Sequence, residues 1–269
     1  MTLRICVGGA TGWVGKSLVS AIARADDLEL AGAIARRHAG EDAGSAAGGA
    51  TLGVVIRATV DEALAGGADV FIDYTKPDAV KGNALAAIAK GVAVVVGTSG
   101  LTADDYAELD RAARAKRVGV IAAGNFSLTA ALLQHCALLA ARHLPQWEIV
   151  DYAHADKVDA PSGTARELAE RMAQVKRPAI GRPLDQVHGT REARGATIEG
   201  VQVHSLRLPG FVIACEAIFG LPDERLAIRH DAGTSAAPYI AGTLLAARRV
   251  KGVVGLVRGL DTLLFGDAA

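Results

Sequence analysis

The chain has 269 residues, with 29 basic and 29 acidic side chains and a formal charge of zero. A balanced charge leaves no cationic excess to neutralise phosphates, which argues against a general nucleic-acid binder. With 51% hydrophobic residues it is not a disordered chain, and no apolar run approaches the roughly 20 residues that span a bilayer.

The core must come from Ala, Val, Ile and Leu, because aromatics make up only 4% of the chain. Small side chains let helices and strands approach closely, which suits a layered α/β protein. No charged and apolar leader is expected before the first strand-like segment. Cys6, Cys136 and Cys215 do not form a disulfide framework or a zinc pattern. The expectation is a cytoplasmic protein with no metal and no membrane span.

In chain order, the first half alternates. Apolar runs at 3–7, 28–35, 70–74, 92–96 and 118–122 read as strands. Helical segments are expected at 14–24, 78–90 and 103–117, with a short strand at 52–57, a short helix at 60–65 and a loop at 38–50. Five-residue apolar runs separated by helices predict a buried, doubly wound parallel sheet. The rhythm then changes. A helix is expected at 127–143, a strand at 147–153, a helix at 163–174 and a loop at 175–200. Runs at 201–208, 211–219 and 224–230, joined by Pro-Gly and Pro-Asp turns, predict a mixed or antiparallel sheet, and 238–249 a last helix. The expected division is a dinucleotide-binding domain at 1–125 with 238–269, and a second α+β domain at 126–237.

The first turn carries the first chemical signal. Gly9, Gly12 and Gly15 follow a strand and open a helix. Such glycines permit a tight turn and a close approach of backbone N–H groups to a pyrophosphate at the helix end. Gly9, Ala10, Thr11, Gly12, Trp13, Val14 and Gly15 are therefore expected to cradle a dinucleotide. NAD-specific proteins place an acid after the second strand; here Ala35 is followed by Arg36 and Arg37. Two guanidiniums suit a 2′-phosphate, so NADPH is expected, with NADH use left open.

The second signal is Lys157-Val-Asp-Ala-Pro-Ser-Gly-Thr-Ala165. Ser162 is placed to cap the following helix. Gly163 and Thr164 then offer N–H groups and a hydroxyl at its positive end, which suits a carboxylate. Lys157 can hold an anion there or donate a proton.

This segment resembles the signature of the dihydrodipicolinate (4-hydroxy-tetrahydrodipicolinate) reductase family of bacterial lysine synthesis. The likeness extends to the glycine loop, to Val70-Phe-Ile-Asp-Tyr-Thr-Lys-Pro, to Gly97-Thr-Ser-Gly and to Gly124-Asn-Phe-Ser, and so covers nearly the whole chain. The resemblance implies a Rossmann-type domain plus a substrate domain whose open mixed sheet builds a homotetramer. It implies reduction of a cyclic unsaturated imine diacid by NADPH or NADH, a small-molecule substrate and no nucleic-acid partner. Tyr74, Thr75, Gly97, Thr98, Ser99, Gly124, Asn125 and Phe126 are implied to border the cofactor. Lys157, Ser162, Gly163 and Thr164 are implied to bind substrate.

The chain departs from the pattern near the substrate. Ala153 stands where the family has the first histidine of a pair, and His154 matches the second. Alanine cannot transfer a proton, so His154, Lys157 or a bound water would serve. Cys215-Glu216 replaces a family His-Thr pair, and the segment at His230–Ser235 lacks the family's arginine. Glu216 is expected at the substrate, where its charge would oppose a dianion. The alternatives are a relative acting on another C=N or C=C substrate, or a nucleotide-binding sensor that has lost catalysis.

Overall fold

The computed structural model describes residues 2–266. Residue 1 and residues 267–269, which the sequence reading assigned to the first domain, lie outside the described residues. In the first half, β1 (Leu3–Gly8) leads to α1 (Trp13–Ile22), β2 (Leu28–Ile34), α2 (Ala43–Ala46), β3 (Ile56–Arg57) and α3 (Val60–Ala63). There follow β4 (Val70–Asp73), α4 (Pro77–Ala89), β5 (Ala93–Val96), α5 (Ala103–Lys116) and β6 (Gly119–Ala122). The second half holds α6 (Leu128–His143), β7 (Gln146–Ala153), α7 (Gly163–Val175), β8 (Ala196–Ile198), β9 (Val201–Arg207), β10 (Ile213–Leu221) and β11 (Glu224–Ala232). The chain closes with α8 (Ala237–Arg249), β12 (Gly255–Arg258) and α9 (Leu260–Phe265).

Two units are distinct. Among the described residues, one is built from residues 2–128 together with Ala236–Leu263, the other from Thr129–Ser235 with residues 264–266. The first carries a seven-stranded sheet in the order β12-β6-β5-β4-β1-β2-β3, with every pairing parallel. Every residue of β4, β5 and β6 is buried, as helices on both faces require. On one face Phe71, Val94 and Val120 pack with Val80 and Ile88 of α4 and Leu109 of α5. The expected doubly wound sheet is present. Its order reverses between β1 and β4, so Gly8 and Asp73, register partners at the carboxyl ends, flank the crevice where such sheets bind ligands.

The second unit carries a mixed sheet in the order β11-β10-β7-β9-β8. β7 pairs parallel with β9 and antiparallel with β10. Alternate residues of β7 are buried, the mark of a sheet covered on one side. Trp147, Ile149, Ala217 and Phe219 form the covered face, against Leu133 and Leu138 of α6 and Leu168 and Met172 of α7. Glu148, Val150, Tyr152 and Glu216 belong to the other face.

Three expectations needed correction. Residues 38–50 contain α2, started by Asp42, whose carboxylate accepts from the Ser45 N–H at 2.9 Å. The supposed loop at 175–200 holds β8. The helix expected to be the last, at 238–249, is followed by β12 beside β6 and by α9; β12, a four-residue strand with a leading glycine, has no periodicity of its own and exists through its neighbour. No described helix is long and apolar enough to cross a membrane.

Candidate active site

The glycine loop is shaped by what its side chains lack. Gly9 has φ +76°, and a Cβ there would lie 2.2 Å from the Tyr74 carbonyl oxygen. A Cβ on Gly15 would lie 2.0 Å from the Gly9 carbonyl oxygen, so α1 seats on the turn only with glycine there. Gly12 is the N-cap of α1 and supplies no side-chain cap, and the first turn has no acid. The positive end of a ten-residue helix therefore faces the turn uncompensated by side chains. This cradle fits a pyrophosphate. Ala10 is buried, Thr11 and Val14 are half-buried, and Trp13 is exposed with its ring edge-on to Tyr239 at 5.7 Å.

Beyond β2, Arg36 and Arg37 begin a single 3-10 turn and are both exposed. His38, in the same turn, meets Glu41 at 3.1 Å instead.

The loops after β4, β5 and β6 converge in the first unit. Tyr74 bonds Thr243 Oγ1 of α8 at 2.7 Å. Thr243 spends its only hydroxyl proton on the Tyr239 carbonyl, so Tyr74 is the donor. Burial pushes the Tyr74 phenol well above its usual range. Gly97 lies against the Tyr74 ring, where a Cβ would stand 2.2 Å away. Phe126 is buried edge-on to Tyr74, at 6.4 Å. Asn125 Oδ1 accepts from the Ser127 N–H at 2.8 Å. Thr75 and Thr98 both bond Asp73, Thr98 is buried, Ser99 is exposed and Gly124 is half-buried. Asp73, Asn83 and Thr243 were not singled out from sequence. Their signal is spatial, since Thr243 lies 169 residues from Tyr74.

In the second unit, the Lys157–Thr164 loop is fixed from below. Ser162 caps α7 through the Ala165 N–H at 3.3 Å. It donates its own N–H and hydroxyl to Asp151 at 2.8 and 2.7 Å. Asp151 is fully buried on β7 and also takes the Arg207 guanidinium at 2.7 Å. The same Arg207 nitrogen donates to the Asp159 carbonyl at 2.8 Å, so one buried pair ties the loop at both ends. Asp151 and Arg207 had no signal in spacing, because they meet only when β7 and β9 pair. Lys157 Nζ lies 2.5 Å from Asp159 Oδ1. His154 is half-exposed, its Nδ1 3.3 Å from both the backbone N and Oδ2 of Asp156. Ala153 is fully buried between Arg207 and Ile213 in register.

Glu216 is not brought to this cluster. Its neighbour Cys215 pairs with Asp151 on the covered face, so alternation turns Glu216 to the opposite face. There it accepts from the Tyr152 hydroxyl at 2.8 Å and lies 3.8 Å from Arg229. Its expected repulsion of a substrate anion is corrected accordingly: the sheet separates it from Ser162. Cys215 is buried, and burial pushes its thiol far up, away from nucleophilic use.

The family descriptions "Dihydrodipicolinate reductase, N-terminus" and "Dihydrodipicolinate reductase, C-terminus" match residues 3–126 and 128–264. The chain belongs to the dihydrodipicolinate reductase family. It is an NAD(P)H-dependent oxidoreductase. It is 41% identical over 266 residues to 4-hydroxy-tetrahydrodipicolinate reductase of Moorella thermoacetica, covering 98% of both chains. The enzyme of the same name from Thermosynechococcus vestitus is 37% identical, over 97% of both chains. A dipicolinate-bound dihydrodipicolinate reductase from Paenisporosarcina sp. TG-14 matches in structure with TM-score 0.78 at 29% identity, over 98% of this chain and 100% of that one. An amine dehydrogenase from Mycobacterium smegmatis, at TM-score 0.66 and 15% identity, shares the fold.

Proposed function

We propose that this family member reduces 4-hydroxy-tetrahydrodipicolinate with NADPH, as a step of lysine and diaminopimelate biosynthesis. The observation that carries the reading is the Lys157–Ala165 segment, retained whole and held by the Asp151–Arg207–Ser162 network. A relative that binds dipicolinate, a planar dicarboxylate, supports the substrate class. When bound, the reduced dinucleotide supplies a hydride to the unsaturated ring of the substrate, which also takes up one proton. Lys157 and the α7 N-terminus at Gly163 and Thr164 bind carboxylate, and Lys157 or His154 provides the proton. The glycine loop holds the pyrophosphate, and Tyr74, Thr75, Gly97, Thr98, Ser99, Gly124, Asn125 and Phe126 orient the nicotinamide half. Arg36 and Arg37 take the 2′-phosphate, since both are exposed where an NAD-specific acid would stand. The first unit is thus the dinucleotide-binding domain and the second the substrate domain. We include in this proposal a homotetramer assembled through the uncovered face of the second sheet, and a cytoplasmic setting.

The test supplies enzymatically generated substrate with NADPH and follows nicotinamide absorbance. The wild type should exceed Lys157→Ala by about 10²–10⁴-fold in kcat/KM; equal rates would reject the assignment. Arg36→Ala with Arg37→Ala should weaken NADPH at least about tenfold more than NADH, the size of a lost charge-assisted phosphate contact. Ala153 favours a second reading, in which the same chemistry acts on another C=N or C=C compound. Turnover of such a compound, with none of the lysine-pathway substrate, would establish it.

A further inference from the structure

Asp73 is a buried acid at the carboxyl end of β4. It is 0% exposed, and it forms no ion pair among the described residues. It accepts four hydrogen bonds instead: from the Thr75 N–H at 2.9 Å, the Thr75 hydroxyl at 2.7 Å, the Thr98 hydroxyl at 2.7 Å and the Asn83 amide at 3.0 Å. Donors from Thr75, Thr98 and Asn83 thus surround both of its carboxyl oxygens. Burying a carboxylate without a cation costs free energy, and its position supplies a use for that cost. Asp73 ends β4, with Gly8 of β1 on one side and Val96 of β5 on the other, where the strand order reverses. With the pyrophosphate at the Gly9–Gly15 turn and the 2′-phosphate beyond β2, the nicotinamide half extends over the ends of β4 and β5. That ring is neutral when reduced and positively charged when oxidised.

We propose that Asp73 is a positioning residue for the nicotinamide, whose buried negative charge favours the oxidised, cationic ring over the neutral, reduced one. Its bonds to Thr75 and Thr98 hold the two loops that meet the ring. As hydride leaves for the substrate the ring gains positive charge, so a fixed anion nearby lowers the barrier in the reducing direction. The inference rests on the dinucleotide-binding role proposed for the first unit.

The charge can be removed while the hydrogen bonds stay. In Asp73→Asn the amide oxygen replaces Oδ1, which serves Thr75 and Thr98. The new NH2 group then faces Asn83, whose amide can turn its oxygen toward it. Asn83→Lys neutralises the site by a second route, with a cation placed beside the intact carboxylate. Calorimetric titrations of each full-length variant with NADP+, NADPH and 2′,5′-ADP read the effect. Either variant should weaken NADP+ about tenfold more than NADPH, the size of a charge pair several ångströms apart at an effective dielectric of about 20. Affinity for 2′,5′-ADP, which lacks the nicotinamide, should stay within about twofold, since that half lies at the phosphate sites. Should Asp73→Asn fail to fold, Asn83→Lys decides alone. An unchanged NADP+ to NADPH ratio, or a parallel loss of all three ligands, would overturn the proposal. A wild type that binds none of the three would instead remove the dinucleotide reading on which it stands.

Discussion

The glycine turn of the first unit and the Lys157–Thr164 loop of the second both lead into a helix N-terminus. They are built in opposite ways. The glycine turn is made by local absence: Gly9 and Gly15 leave no room for a Cβ, and Gly12 leaves α1 without a side-chain cap. Its hydrogen bonds are mostly backbone, such as Gly12 N–H to the Gly9 carbonyl at 2.8 Å. The second loop is made by long-range presence. Ser162 caps α7, but its position is set by Asp151 and Arg207, on strands that meet only in the folded sheet. A turn of the first kind tolerates no added atom. A loop of the second kind tolerates small steric change but not the loss of a buried charge.

The largest expected effect follows from the first construction. Gly15→Val drives side-chain carbon into the Gly9 carbonyl and should cost about 4 kcal/mol or more. Thermal unfolding and NADPH titration should show a large fall in stability and loss of binding. Near-normal binding would mean that the turn relaxes in a way its geometry does not suggest.

Next in size is Arg207→Met, which strands Asp151 without its cation. Removing one partner of a buried pair costs about 3–5 kcal/mol. Denaturant unfolding should show the loss, and adding Asp151→Asn should recover part of it. If the double variant is no more stable than the single one, the pair is not the link that holds the loop.

The smallest effect concerns pH. His230 Nδ1 meets the Thr129 hydroxyl at 2.9 Å, while Nε2 is buried with no hydrogen-bond partner among the described residues. Burial holds its imidazole below the usual range, against the opposing pull of Asp231. The unfolded chain therefore binds a proton that the folded one resists. This contribution is whole above pH about 6.5 and shrinks as pH falls below it. Stability measured from pH 7 down to 5 should decline, and His230→Gln should flatten that part of the slope. An identical slope in the variant would assign the decline to other groups.

The first unit was legible because its signals are contiguous. β4, β5 and β6 read as short apolar runs because a parallel sheet buries both faces. The glycines of the turn lie within one span of seven residues. β12 escaped because Gly255–Arg258 has no pattern apart from its pairing with β6. In the second unit, Ser162 was legible as a cap since a cap is a local device. Glu216 was misplaced because a stretch of sequence does not reveal which face of a strand meets the helices. Pairing with Val150, one step from the Cys215–Asp151 pair, decides it.

By itself the sequence determined the alternation of strands and helices, the glycine turn whose shape fits a pyrophosphate, and the segment from Lys157 to Ala165. Each depends on conformational limits or helix ends that act within a few residues. Tertiary structure alone decided the anchoring of that segment by Asp151 and Arg207, the exile of Glu216 to the far face, and the burial of Asp73 without a cation. These depend on strand register and on the exclusion of water, which arise only when distant segments pair. The net charge of zero, informative about partners, could not disclose that these charges stand in separate and dissimilar places.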